Sequence, residues 1–217
     1  VSHTTAGQAT DEHQSPGVAP TGPSRWRGAV EWVVVVGGAV AVALVIKTFL
    51  LQAFYIPSES MEPTLQEDDR VLVNKLAYRW GDVGRGDIVV FERPPEDVGP
   101  DDIKDLIKRV VAVPGDSLVI EGGVVSVDGT PVDEPYLSEG VVTSDAQGVY
   151  DPTGEGGLHR CTGVDPCVVP EGYVFVMGDN RSNSRDSRFP EVGYIDQDAI
   201  VGEAFVRVWP LDRLGGL

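Results

Sequence analysis

The sequence predicts a mainly β domain preceded by one N-terminal transmembrane helix. Short β-branched runs recur along most of the chain, divided by Gly, Pro and Asp. The Asp128-Gly129 pair inside "VSVDGTPV" has the composition of a two-residue hairpin turn. One long apolar run stands near the N-terminus, and no long amphipathic helical pattern follows it.

The elements follow in order. Residues Val1 to Ser24 are rich in Ser, Thr, Gly, Pro and Gln. Such a segment buries too little to offset its ordering entropy, and a disordered tail is expected. From Trp32 to Leu51 the chain reads "WVVVVGGAVAVALVIKTFLL", with Lys47 as its one charge. Roughly 20 residues at ~1.5 Å rise reach across a ~30 Å hydrocarbon core. Trp26 and Trp32 suit one interface, Phe54 and Tyr55 the other, and Lys47 can snorkel. Arg25 and Arg27 ahead of the run put the N-terminus on the cytoplasmic side. A cleaved secretory signal with Val33–Ile46 as its apolar region needs a small-x-small site after it. The bulky "KTFLLQAFYIP" supplies none, and Ala39-Val40-Ala41 lies inside the run.

The expected domains are therefore a cytoplasmic tail over 1–28, a transmembrane helix over 29–52 and an extracytoplasmic β-rich domain over 53–217. That places the chain in the cell membrane as a single-pass protein. "RVLVNKL", "GDIVVF", "IKRVVAV", "SLVIEGGVVSVDGTPV", "YVFVMGD" and "AIVGEAFVRVW" are the expected strands. Residues Ser138 to Pro166 are rich in Gly, Asp and Pro, and an insertion is expected around 138–167. "RGD" at Arg85–Asp87 reads as a turn into a strand.

Composition excludes several functions. A net charge of -17 argues against a nucleic-acid partner, which needs a basic patch, and against docking to anionic lipid by charge alone. Cys161 and Cys167 in "CTGVDPC" lack C-x-x-C spacing and a nearby His cluster, which leaves free thiols or a small structural disulfide. No metal-ligand spacing occurs and no cofactor is expected; His3 and His13 lie in the tail and His159 in the insertion.

"IPSESMEPTL", just after the apolar run, carries two serines in a Pro-bounded turn. A serine nucleophile needs a base, and the histidines are poorly placed for a Ser-His-Asp arrangement. A lysine serves only when neutral, which at a pKa near 10.4 is roughly one in a few thousand at pH 7. Burial raises that fraction, so a lysine inside an apolar strand is wanted. Lys47 is in the apolar run and Lys104 in an acidic stretch, whereas Lys75 and Lys108 both sit in strand-like runs. The residues alone leave these two open, and leave open for each the role of an edge-strand lysine that blocks aggregation.

"IPSESMEPTL", "RGDIVVF", "KRVVAVPGD" and "GDNRSNSRDSR" occur in that order after an N-terminal apolar run. Together they resemble the boxes of the bacterial type I signal peptidases, membrane-bound Ser/Lys endopeptidases that remove signal peptides. The resemblance covers roughly Lys47 to the C-terminus without the insertion. It implies a β fold with a catalytic core like that of the self-cleaving SOS repressors. By position it implies Ser60 as nucleophile and Lys108 as general base, over Lys75. It makes Ser58 an oxyanion donor beside the Ser60 N–H, Ser184 the residue orienting the lysine, and Asp186 and Arg188 a supporting pair. The implied partners are preprotein substrates of the secretion pathway and the lipid bilayer, with no nucleic acid. An extended substrate is expected along a strand edge, with small side chains at the first and third positions before the cut. Ile56, Met61, Leu65 and Ile107 are the candidates for lining their pockets. Ser182 and Glu62 depart from the family pattern without touching the chemistry.

Two other readings compete: an anchored β-rich interaction protein whose serines are turn residues, and a self-cleaving Ser/Lys regulator. The ordered boxes speak against the first. Tail and apolar run, where a partner-binding domain and a cleavage loop belong, speak against the second.

Overall fold

The computed structural model describes residues 25–93, 104–144, 149–150, 158–159 and 161–217. The tail expected over Val1–Ser24 lies outside them, as does much of the insertion. The chain divides into two units, Val1–Ala43 and Leu44–Leu217.

In the first unit the described residues are helical. The helix α1 runs Arg25–Val45, and its large apolar side chains from Trp26 to Leu44 are exposed. The helix expected over 29–52 changes form before its end. Ile46–Leu50 is a π-helical turn, and Leu51 already opens a strand. At ~1.5 Å per residue the α-helical part of the run, Trp32–Val45, covers about 21 Å, short of a ~30 Å hydrocarbon core. Among the described residues no helix is long and apolar enough to cross a membrane.

The second unit is mainly β, as expected. Its strands are β1 (Leu51–Tyr55), β2 (Arg70–Asn74), β3 (Ile88–Glu92), β4 (Asp105–Ala112), β5 (Ser117–Glu121), β6 (Val124–Val127) and β7 (Thr130–Pro131). There follow β8 (Val149–Tyr150), β9 (Leu158–His159), β10 (Cys167–Val168), β11 (Tyr173–Met177), β12 (Ile195–Asp196), β13 (Ile200–Trp209) and β14 (Gly215–Gly216). The large sheet has the order β1-β2-β13-β3-β4-β11-β12, with β14 beside β13, and every pairing is antiparallel. The small sheet is β10-β5-β6-β7, and β8 pairs with β9 inside the insertion.

Side-chain alternation explains the layers. In β3, Ile88 and Val90 join one apolar cluster while Val89 and Phe91 join another, so a continuous "IVVF" run is buried on both faces. A third cluster holds the small sheet against β11 through Leu118, Val125, Val127 and Phe175. The run "SLVIEGGVVSVDGTPV" folds back twice. Asp128 and Gly129, with φ of 53° and 75°, make the expected turn between β6 and β7, and Gly122-Gly123, with φ of 62° and 86°, make another between β5 and β6. Arg85 pairs with Asp116 and Asp128, and Asp87 accepts from the Gly84 N–H, so "RGD" is a turn into β3.

Cys161 and Cys167 form a disulfide. Both are buried in the cluster beneath β5, with Cys167 opposite Leu118 and the Cys161 carbonyl accepting from the Ile120 N–H. The bridge therefore ties the end of the insertion to the small sheet.

Candidate active site

Ser60 lies on a short 3₁₀ turn, Glu59–Met61. Apolar side chains sink the turn into the core, since Ile56, Met61 and Leu65 are buried in one cluster. Glu62 leaves the turn with an extended backbone, as a residue before proline must. From the opposite side Asn180 holds the turn: its N–H donates to the Ser60 carbonyl at 3.1 Å and its Nδ2 to the Glu59 carbonyl at 3.1 Å.

Lys108 reaches this turn from β4. Its Nζ stands 2.8 Å from Ser60 Oγ and donates to the Ile107 carbonyl at 2.9 Å. The side chain is only 4% exposed. Burial disfavours the ammonium and lowers the pKa from the ordinary 10.5 to about 8, against the upward pull of the Asp186 and Asp179 carboxylates. Lys75 lies just beyond β2, in a turn, and Lys104 is exposed. Of the two lysines that residue patterns left open, Lys108 is the one that meets Ser60.

Ser58 is exposed, and its Oγ is 3.4 Å from Ser60 Oγ. Ser184 is buried, and its Oγ has no hydrogen-bond partner among the described residues. The expected contact from Ser184 to Lys108 is therefore not made in this structure. Ser184 instead packs over Gly178: a Cβ at Gly178 would fall 2.2 Å from Ser184 Oγ and 2.4 Å from the Ser60 carbonyl oxygen. Only glycine lets this loop approach the Ser60 backbone so closely.

Asp186 and Arg188 form a buried pair, with Nε–Oδ1 at 2.8 Å and Nη2–Oδ2 at 3.0 Å. Asp186 also accepts from the Gly178 N–H at 2.9 Å, which fixes the loop that holds Ser60. Ser182 is exposed and bonds Asn180, and Glu62 is half-buried, so neither departure meets the dyad.

Other residues of the site were not singled out in the sequence. Arg109, next to Lys108 and on the other face of β4, donates to both oxygens of buried Asp179 at 2.9 and 2.8 Å. Thr64 donates to the same carboxylate, and Arg109 stacks 3.9 Å over the Tyr136 ring. Arg181 pairs with Glu134 and Thr143. The available signal was opposite charge inside two of the boxes, "KRVVAVPGD" and "GDNRSNSRDSR".

A cavity of about 640 Å³ opens at the dyad. Ser58, Ser60 and Lys108 border it, and Leu106, Tyr173 and Val192 are among its walls. Ile56, Met61, Leu65 and Ile107, the expected pocket residues, do not line it. They pack together in the core on the other face of β4. Among the described residues no cluster of His, Cys, Asp and Glu could hold a metal ion.

Comparison with known proteins adds the family. The family model "Signal peptidase, peptidase S26" matches residues 29–209. Signal peptidase I of Leptolyngbya laminosa is 39% identical over 87% of this chain and 83% of its own. Probable signal peptidase I-2 of Synechocystis is 39% identical over 82% of this chain and 72% of its own. Signal peptidase IB of Staphylococcus aureus is 36% identical over 85% of this chain and 91% of its own.

Proposed function

Because the chain belongs to the peptidase S26 family of signal peptidases, we propose that it is a membrane-bound serine endopeptidase that removes N-terminal signal peptides from exported preproteins, with Ser60 as nucleophile and Lys108 as general base. One observation carries the assignment of roles. A lysine with 4% exposure stands 2.8 Å from a serine hydroxyl on a 3₁₀ turn.

The reaction follows from that geometry. Neutral Lys108 Nζ takes the Ser60 proton as Oγ attacks the carbonyl carbon of the bond to be cut. The developing oxyanion meets the Ser60 N–H and the Ser58 hydroxyl, preorganised donors each worth about 3 kcal/mol at the transition state. The ammonium of Lys108 then gives its proton to the leaving amine, and an acyl ester on Ser60 remains. Water, deprotonated by the same Nζ, attacks the ester, and the proton returns to Ser60 Oγ. The signal peptide leaves as a carboxylate and the enzyme is restored. Asp186, Arg188 and Gly178 act on the loop that packs against the Ser60 backbone.

The substrate segment pairs as an added strand. β11 pairs only with the Arg109–Ala112 half of β4, and β3 covers the other side. The Asp105–Lys108 half has no second neighbouring strand among the described residues, and this free edge leads to the dyad.

The exposed apolar α1 with its π-helical continuation, Arg25–Leu50, serves as the anchor, N-terminus on the cytoplasmic side. On full-length protein in membrane vesicles, alkaline carbonate is expected to leave the chain in the pellet and a deletion of 1–50 to release it. Release of the full chain by carbonate would remove the anchor.

A further inference from the structure

We infer that the cavity beside the dyad selects a large apolar or aromatic side chain at the second residue before the cut, which makes that position a specificity determinant of this peptidase. The inference rests on the Ser60–Lys108 reading and on a substrate paired along β4.

The two faces of β4 differ. On one, Ile107 is closed into the core with Ile56, Met61 and Leu65, and no room remains for a large group. On the other, Leu106 and Lys108 border about 640 Å³ of open space, within the size range of pockets that bury whole ligands. An extended substrate sends successive side chains to opposite faces. At the dyad the open face is already taken by the Lys108 side chain, which runs from β4 to Ser60 Oγ. The residue whose carbonyl meets Ser60 therefore turns its side chain to the closed face. The residue before it turns to the open face, against Leu106, Tyr173, Val192 and Tyr194. The exposed charges at this mouth are Arg185 and Glu191, which are paired with each other, and the carboxylates of Glu92 and Asp196.

The test is a preprotein series cleaved by the full-length wild-type protein in detergent. Ala, Leu, Phe and Asp are placed in turn at the second residue before the cut and, in a second series, at the first residue after it. Phe and Leu are expected to exceed Ala and Asp in kcat/KM by about tenfold or more in the first series, the worth of burying such a side chain. The second series is expected to be flat. A flat first series, or a preference confined to the second, overturns the inference. In Val192→Trp, which fills the cavity, the Phe-to-Ala ratio is expected to fall toward one, and an unchanged ratio in folded protein also overturns it. If this variant does not fold, the wild-type series decides alone. Loss of the dyad reading has a different signature, namely cleavage of these substrates that survives Ser60→Ala and Lys108→Ala.

Discussion

Ser60→Ala and Lys108→Ala each lower kcat/KM for preprotein cleavage by at least about 10⁴-fold, and the double variant is scarcely worse than either. The two groups act as one unit, since the hydroxyl is inert until Nζ accepts its proton and the amine has nothing to activate once Oγ is gone. Lys108→Arg is expected to be as inactive as Lys108→Ala, because a guanidinium has no neutral form to offer. That variant separates a base from a mere positive charge. The measurement is initial-rate cleavage of a preprotein, with the new N-terminus sequenced and folding checked by circular dichroism. Arg at 108 with near-wild-type turnover would show that Lys108 acts as a cation and not as a base. Wild-type rates in both alanine variants would leave an anchored β-rich binding protein as the reading. Cleavage only of the chain's own backbone would revive the self-cleaving regulator.

Asp186→Ala unfolds more easily than wild type by about 3–5 kcal/mol, because Arg188 is left buried without its counter-charge. Arg188 is 1% exposed and Asp186 0%, so water cannot replace the lost partner. The Gly178 N–H also loses its acceptor. For a domain of this size the loss corresponds to about 10 °C in Tm. Replacing both residues, as Asp186→Leu with Arg188→Met, recovers part of the deficit, since it removes the stranded charge as well as the pair. A thermal melt in which the single variant matches wild type contradicts the buried-pair account. At any temperature where the single variant stays folded, its pH–rate profile moves to lower pH. The Asp186 carboxylate raises the Lys108 pKa, and its removal lets the amine lose its proton sooner.

Much of this arrangement was legible in the chain because strands and turns write themselves locally. β3 and β11 showed as short apolar runs, Asp128-Gly129 showed as a hairpin, and the absence of a well-placed histidine pointed to lysine. Other features are set by tertiary contacts between distant residues. Arg109 and Asp179 stand far apart in sequence, and nothing local distinguishes their buried pair from two surface charges. Ile56, Met61, Leu65 and Ile107 were expected to line the pockets for the small side chains before the cut. Alternation along β4 and the burial of the serine turn gather them in one apolar cluster, a packing set by tertiary contacts and not by local pattern. Ser184 was placed by resemblance against Lys108, yet its buried Oγ packs over Gly178 without a hydrogen-bond partner among the described residues. The apolar run was read as part of one helix over 29–52, but Leu51 and Gln52 are drawn into β1 by pairing with Asn74 and Val73.

Burial of Lys108 also weakens the fold, with a definite pH dependence. The folded-state pKa, about 8, lies below the ordinary 10.5, so between these values the unfolded chain binds more protons. Lys108 thus contributes a penalty that is full below about pH 8 and fades as pH rises toward 10.5. The same displacement that costs stability supplies the neutral amine near physiological pH.

The pH dependence of kcat/KM for preprotein cleavage therefore tests the central claim most directly. With neutral Lys108 as the base, the rate rises with pH through an apparent pKa of about 8 and is level above it. A rise centred near 10.5, the ordinary lysine value, would contradict a buried base at this position.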